Sequence, residues 1–182
     1  MKIVAFDIES SSLDADWGRV LCASFCPIKE EGKTEQPYTL VRPVRTKDPL
    51  DDSALIRSIR DELLKYNLIV TWYGKIFDVP FINARLLKHS LGDYVPQMHL
   101  DACWYAAGTG MKLGSKRLDN VAKYFKTEHQ KVDVEPEDWQ RARYGDAEAL
   151  QRVVEHCEAD VQILSEVYWR LLPRVRNIHR GG

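Results

Sequence analysis

The chain has 182 residues, 26 basic against 27 acidic side chains, and a formal net charge of −1. That length predicts a single domain, residues 1–182, able to bury a full core without disulfide or metal staples. The charge balance excludes a whole-molecule positive field, so a polyanionic partner would have to be held by a local patch or by bound cations.

Taken in chain order, KIVAFDIE (2–9) alternates in a β-rich composition and is predicted as the first strand. Acids interrupt the N-terminus at once, which does not suit a signal peptide. VLCASFCPI (20–28) is predicted as the second strand. The charged turn EEGKTE leads to a third, PYTLVRPV (37–44), and the three are expected to form an antiparallel meander. Residues 48–66 carry apolar side chains at 55, 56, 59, 63 and 64, a helical spacing, with acids at the start that suit a helix N-terminus. NLIVTWY is a short buried strand. FINARLLKHSL is a helix with Pro80 near its beginning. VPQMHLDACWYAA holds another strand and the start of a helix.

The loop GTGMKLGSK precedes a helix at RLDNVAKYF; KTEHQKVDVEPED is polar and loop-like; EDWQRARYG is a short helix. In the last long helix, positions 150, 153, 154, 157, 161, 164, 165, 168 and 171 form one apolar stripe. Glu155, Ala159 and Gln162 are expected to point outward. The tail from about 174 to 182 is expected to fray. Three strands followed by alternating helix and strand predict an α/β domain with a mixed central sheet of about five strands flanked by helices. No segment approaches the ~18–20 apolar residues of a membrane span. Cys22, Cys26, Cys103 and Cys157 form neither a C-x-x-C pair nor a Cys/His cluster, and are expected as reduced thiols of a cytoplasmic protein.

Three places set carboxylates where they need an explanation. On the first strand Ile3, Ala5, Asp7 and Glu9 share one face and Val4, Phe6 and Ile8 the other. Residues two apart in a strand lie roughly 6.5–7 Å apart at Cα. Like charges so placed repel unless something positive sits between them, and a hard divalent cation is suited to that place; alternatively the strand ends at Phe6 and both acids are solvated. On the last helix Asp160 lies roughly 60° and His156 roughly 100° from Cys157, on one shoulder of the buried stripe. A carboxylate there wants a partner, either His156 or a lysine elsewhere. Asp78 stands between a strand and a helix, either as a helix cap or as a functional group at the end of a strand.

FDIES, YGKIFDVPF and HCEADV, in that order, resemble the three exonuclease motifs of the DEDD superfamily of 3′–5′ exonucleases. LDNVAKYF and the run from EDWQRARYGDAEAL to HCEADVQIL extend the resemblance to predicted exonucleases related to the proofreading domain of family B polymerases. The resemblance implies a ribonuclease H-like fold in which Asp7, Glu9, Asp78 and Asp160 bind two divalent cations, Mg²⁺ or Mn²⁺, with Asp7 bridging. It implies hydrolysis of phosphodiesters at a 3′ end, single-stranded DNA in the first instance and RNA as an alternative, to nucleoside 5′-monophosphates. His156 is then a candidate general base, with its pKa raised by nearby carboxylates, or else a residue that only orients water.

Two departures stand out. Tyr73 replaces the asparagine that family members often carry before F-D; it is expected to stack on a base or to pack in the core. His156 holds the position, four before the last Asp, where one branch of the family has tyrosine, whereas the other branch has histidine five before it. Ile8, Ser10 and Phe77 flank the acids and are further candidate substrate contacts. Lys112, Lys116 and Arg117 either meet backbone phosphates or are solvated. Trp72, Trp104 and Trp139 are expected in the core or at interfaces, and Arg174, Arg176 and Arg180 form a basic terminus. The competing readings are a ribonuclease H-like endonuclease and a non-catalytic nucleic-acid- or polymerase-binding module.

Overall fold

A computed structural model of the chain describes residues 1–43, 48, 51–108, 111–176 and 178–180. Strand β1, Ile3–Ser10, pairs antiparallel with β2, Val20–Ile28, which pairs antiparallel with β3, Tyr38–Val41. On its other edge β1 pairs parallel with β4, Leu68–Thr71, and β4 pairs parallel with β5, Met98–Asp101. The sheet is therefore mixed, ordered β3-β2-β1-β4-β5-β6, and changes from antiparallel to parallel at β1. The sixth strand, His179–Arg180, pairs with β5 and comes from the segment expected to fray. Of the longer third strand predicted from sequence, Val44 lies outside the described residues.

Among the described residues five α-helices cover the sheet: α1 Ser53–Leu63, α2 Asp78–Lys88, α3 Leu118–Phe125, α4 Pro136–Arg143 and α5 Ala147–Leu171. The alternation in β1 sorts the layers. Val4, Phe6 and Ile8 pack with Leu55, Ile56 and Ile59 of α1 and Phe81, Ile82 and Leu86 of α2. Ala5 joins Val70, Leu100 and the α5 residues Val161, Leu164 and Tyr168 on the opposite face. Thus β1 is buried on both faces and continues past Phe6 to Ser10, which removes the alternative that Asp7 and Glu9 lie beyond its end.

The apolar stripe of α5 is buried throughout, from Leu150 to Leu171. Its N-terminus is capped by Asp146, whose carboxylate accepts the Ala149 N–H at 3.0 Å. Ala159, expected outward, is buried, because α5 is enclosed by β1, β2, α3 and α4 and its covered arc is wider than one stripe. Leu64 is exposed, because α1 ends at Leu63.

Of the acids before α1, Asp51 accepts the Ser53 N–H at 2.8 Å, whereas Asp52 at the N-cap position makes no side-chain cap. Asp52 is buried and receives Arg85 Nη2 at 2.7 Å, Arg85 Nε at 3.0 Å, His89 Nε2 at 2.7 Å and the Val20 N–H at 3.0 Å. One carboxylate thereby ties α1 to α2 and β2. Removing either partner of such a buried pair costs about 3–5 kcal/mol.

Candidate active site

Asp7 and Glu9 lie on the face of β1 covered by α5, at its C-terminal end. The Cys157 thiol of α5 seals that contact, donating toward the Asp7 carbonyl at 3.6 Å, with the Asp7 carboxylate at 3.5 Å. Asp78 opens α2 rather than capping it; the N-cap position is Phe77, which forms no side-chain cap. Its Oδ1 instead accepts the Ile8 N–H at 3.1 Å and holds the start of α2 against β1.

The turn from β4 to α2 is held by a residue the sequence reading missed, the buried Asp101 at the end of β5. Its carboxylate accepts the N–H groups of Tyr73 at 3.0 Å, Lys75 at 3.1 Å and Cys103 at 3.3 Å. That clamp keeps Tyr73 at φ 65°, a conformation costing a non-glycine residue roughly 1–2 kcal/mol. At Gly74 any Cβ would lie 2.4 Å from Thr71.

These elements line a cleft of about 540 Å³. It contains Asp7, Glu9, Asp78, His156 and Asp160, together with Ile8, Tyr73, Phe77 and Lys116 among the expected substrate contacts. Ser10 and Lys112 are not on its wall; Ser10 Oγ donates to the Ser12 carbonyl at 2.6 Å. Arg117 does line it, as do Trp72 and three groups not anticipated individually: Asp119, Lys131 and Asp133. Trp72 Nε1 donates to the Lys116 carbonyl at 2.9 Å. Trp104, expected in the core or at an interface, is 52% exposed and so outside the core, with the Lys116 ammonium 5.8 Å from its ring. Trp139 packs edge-on against His156. Of the basic terminus, the Arg174 and Arg176 side chains are described and neither lines the cleft; that of Arg180 lies outside the described residues.

Asp160 has the lysine partner foreseen for it in general terms. Lys131 Nζ lies 2.5 Å from Asp160 Oδ2, while His156 Nε2 is 3.9 Å from the same oxygen. Asp160 Oδ1 is buried without a hydrogen-bond partner among the described residues. His156 Nδ1 donates to the Val132 carbonyl, so in the neutral ring the lone pair is on Nε2, 3.5 Å from Glu9 Oε1. The expectation that carboxylates raise its pKa is overturned. Burial lowers it below the usual imidazole value, and the raising effect of Asp160 is partly opposed by Lys131.

Burial pushes the Asp7 carboxyl well up, with Asp78 and Asp160 adding to the push; Glu9 is raised likewise by burial, Asp7 and Asp160. Burial raises Asp78 to about 7. A concentration of carboxyls that resists ionisation, with one buried oxygen unpartnered and all donors hard, fits divalent cations with oxygen ligands. The ligand atoms of Asp7, Glu9 and Cys157 lie within 4.8 Å of one another. A second cluster, Asp51, Asp52 and His89, is a poorer fit, because the Asp52 oxygens are taken by Arg85, His89 and Val20.

A dependence of stability on pH follows. Carboxyls with raised native pKa values bind protons more tightly when folded. The stability they contribute is fully present below about pH 4, their unfolded range, and is lost as pH rises through the native values, about 7 for Asp78. In chelator, thermal scans should show a lower midpoint at pH 8 than at pH 5, a loss on the order of 2–4 kcal/mol. Mn²⁺ should recover most of it. A midpoint that does not change across that range would contradict the geometry.

Residues 4–172 match the family model of the RNase_H superfamily. The family B DNA polymerase from the hyperthermophilic archaeon Pyrobaculum calidifontis is similar in structure, with a TM-score of 0.72 at 20% sequence identity over 95% of this chain. This chain covers 25% of that polymerase chain, and at such identity the likeness is one of fold. No curated protein sequence matches.

Proposed function

The chain belongs to the RNase_H superfamily, and from that premise we propose that it is a 3′–5′ exonuclease using two divalent cations, Mg²⁺ or Mn²⁺. The observation that carries this reading is the convergence of Asp7, Glu9, Asp78 and Asp160 in one cleft, with one Asp160 oxygen buried and unpartnered. In this reading those four residues hold the cations. Cations held there would supply Lewis-acid polarisation of the phosphoryl group.

The chain's own residues supply the rest. His156, fixed through Nδ1 by the Val132 carbonyl, presents Nε2 to take a proton from the attacking water. Glu9, beside that nitrogen, orients the water. Tyr73 and Phe77 form the wall for the terminal nucleotide, and Lys116 and Arg117 meet backbone phosphates at the rim. Phosphodiester cleavage at the 3′ end releases nucleoside 5′-monophosphates. DNA single strands are the first substrate to test and RNA the second. The free, buried thiols fit a reducing, cytoplasmic setting; no helix among the described residues is long and apolar enough to cross a membrane.

The test uses 5′-labelled single-stranded DNA, RNA and duplex with Mn²⁺ or chelator. A ladder of shortening products, slowed by a blocked 3′-hydroxyl and absent in chelator, is expected. Equal cutting of closed circular single strands would favour an endonuclease. Binding without cleavage would favour a non-catalytic module.

A further inference from the structure

Lys131 stands in the loop between α3 and α4, and its ammonium reaches into the acid cluster. It meets Asp160 Oδ2 at 2.5 Å, and its charge opposes the raised pKa values of both Asp7 and Glu9. The loop around it is anchored. The Gln130 amide bonds the Thr127 carbonyl at 2.7 Å, and the Val132 carbonyl accepts from His156. The loop is thus tied on both sides of Lys131, whose four-carbon stem carries its ammonium to Asp160.

One ammonium facing this many carboxyls leaves the cluster under-neutralised. Asp160 is satisfied on one oxygen only; the other is buried and unpartnered. A purely structural ion pair would be expected to bond both oxygens of so buried a carboxylate. The half-filled arrangement suits a group standing in for a larger charge.

We propose that Lys131 is a tethered counter-ion, occupying the cation-binding side of Asp160 in the metal-free protein and competing with divalent cations for it. This rests on reading the four acids as a cation site. It adds that the chain carries its own competitor, so that cation affinity is held below what the carboxylates alone would give. Lys131 is in this sense a positioning residue, acting on the reaction through cation occupancy.

The experiment measures Mn²⁺ alone, by titration calorimetry or by loss of the free-ion paramagnetic signal, on chelator-stripped protein without nucleic acid. Lys131→Met and Lys131→Gln should each bind Mn²⁺ more tightly, by about tenfold, because a like charge has been removed from the site. Lys131→Arg, which keeps the charge, should stay close to wild type. The metal-free midpoint of the two neutral variants should fall below wild type, and Mn²⁺ should raise it by more than it raises the wild-type midpoint. A normal circular dichroism spectrum with Mn²⁺ present verifies folding. If wild type binds Mn²⁺ and both neutral variants bind equally or more weakly, Lys131 is a structural support and the counter-ion role is overturned. If wild type and variants alike bind none, the cation site itself falls, and this inference with it.

Discussion

Replacing Asp7 by Asn is expected to reduce nuclease turnover by at least about 10²–10³-fold, the scale on which losing one preorganised electrostatic contact acts. Asp7 lies at the centre of the cluster. Asp78 and Asp160 press on its charge, Lys131 relieves it, and α5 closes on it through Cys157. An amide of the same shape keeps the packing and removes the charge that repels the other acids. The metal-free variant should therefore melt later than wild type, by a margin that grows from pH 5 to pH 8 as the remaining carboxyls ionise. With saturating Mn²⁺ the order should reverse, because wild type then has a cation to gain from and the variant has lost a ligand. Full activity of Asp7→Asn, or of wild type in chelator, would remove the two-cation reading.

His156→Ala should lower kcat by roughly 10²–10⁴-fold, the usual contribution of a general base. Cation affinity should change little, since all four acids remain. The imidazole pKa is held below its ordinary value of about 6.5 by burial. The neutral, base-competent ring is then the main form at neutral pH. With cation saturating, so that the four acids stay ionised, the rate should fall as pH drops through the lowered histidine value. In His156→Ala that limb should vanish. His156→Tyr, at the spacing where one branch of the DEDD superfamily that the motifs resemble has tyrosine, should retain more activity than the alanine variant. Near wild-type kcat in His156→Ala would reduce the ring to its other contact, the bond to the Val132 carbonyl that anchors the loop bearing Lys131.

What the sequence shows of this site depends on how local each signal is. The faces of β1 could be read from alternation alone, because a strand buried on both sides keeps strict order between Ala5 and Phe6. The α5 stripe was likewise visible in its spacing. Asp101 was invisible: it is one aspartate at the end of a short strand, and its partners, Tyr73 and Lys75, are 28 and 26 residues away. Lys131 sits in a polar loop with no periodicity, and only the prior need of Asp160 for a cation pointed toward a lysine at all. Asp52 is a related case: acids before α1 suit a helix N-terminus, but nothing nearby reveals that Arg85 will claim this one. Burial, which depresses the His156 pKa, is a property of the assembled fold and has no signature in neighbouring residues.

The placement of β1 also bears on the order in which the chain is made. Its partner β2 follows directly and β4 by residue 71, but the helix that covers Ala5, Asp7 and Glu9 starts at Ala147. During synthesis this face of the strand waits until α5, beginning at Ala147, has been made before it is roofed. A bare apolar strand so exposed would invite pairing with other nascent chains, whereas two adjacent carboxylates keep it solvated and repel a second copy. The same delay leaves the cleft open until Asp160 has emerged, so a ribosome-bound fragment ending before α5 would lack both His156 and Asp160 from the acid cluster.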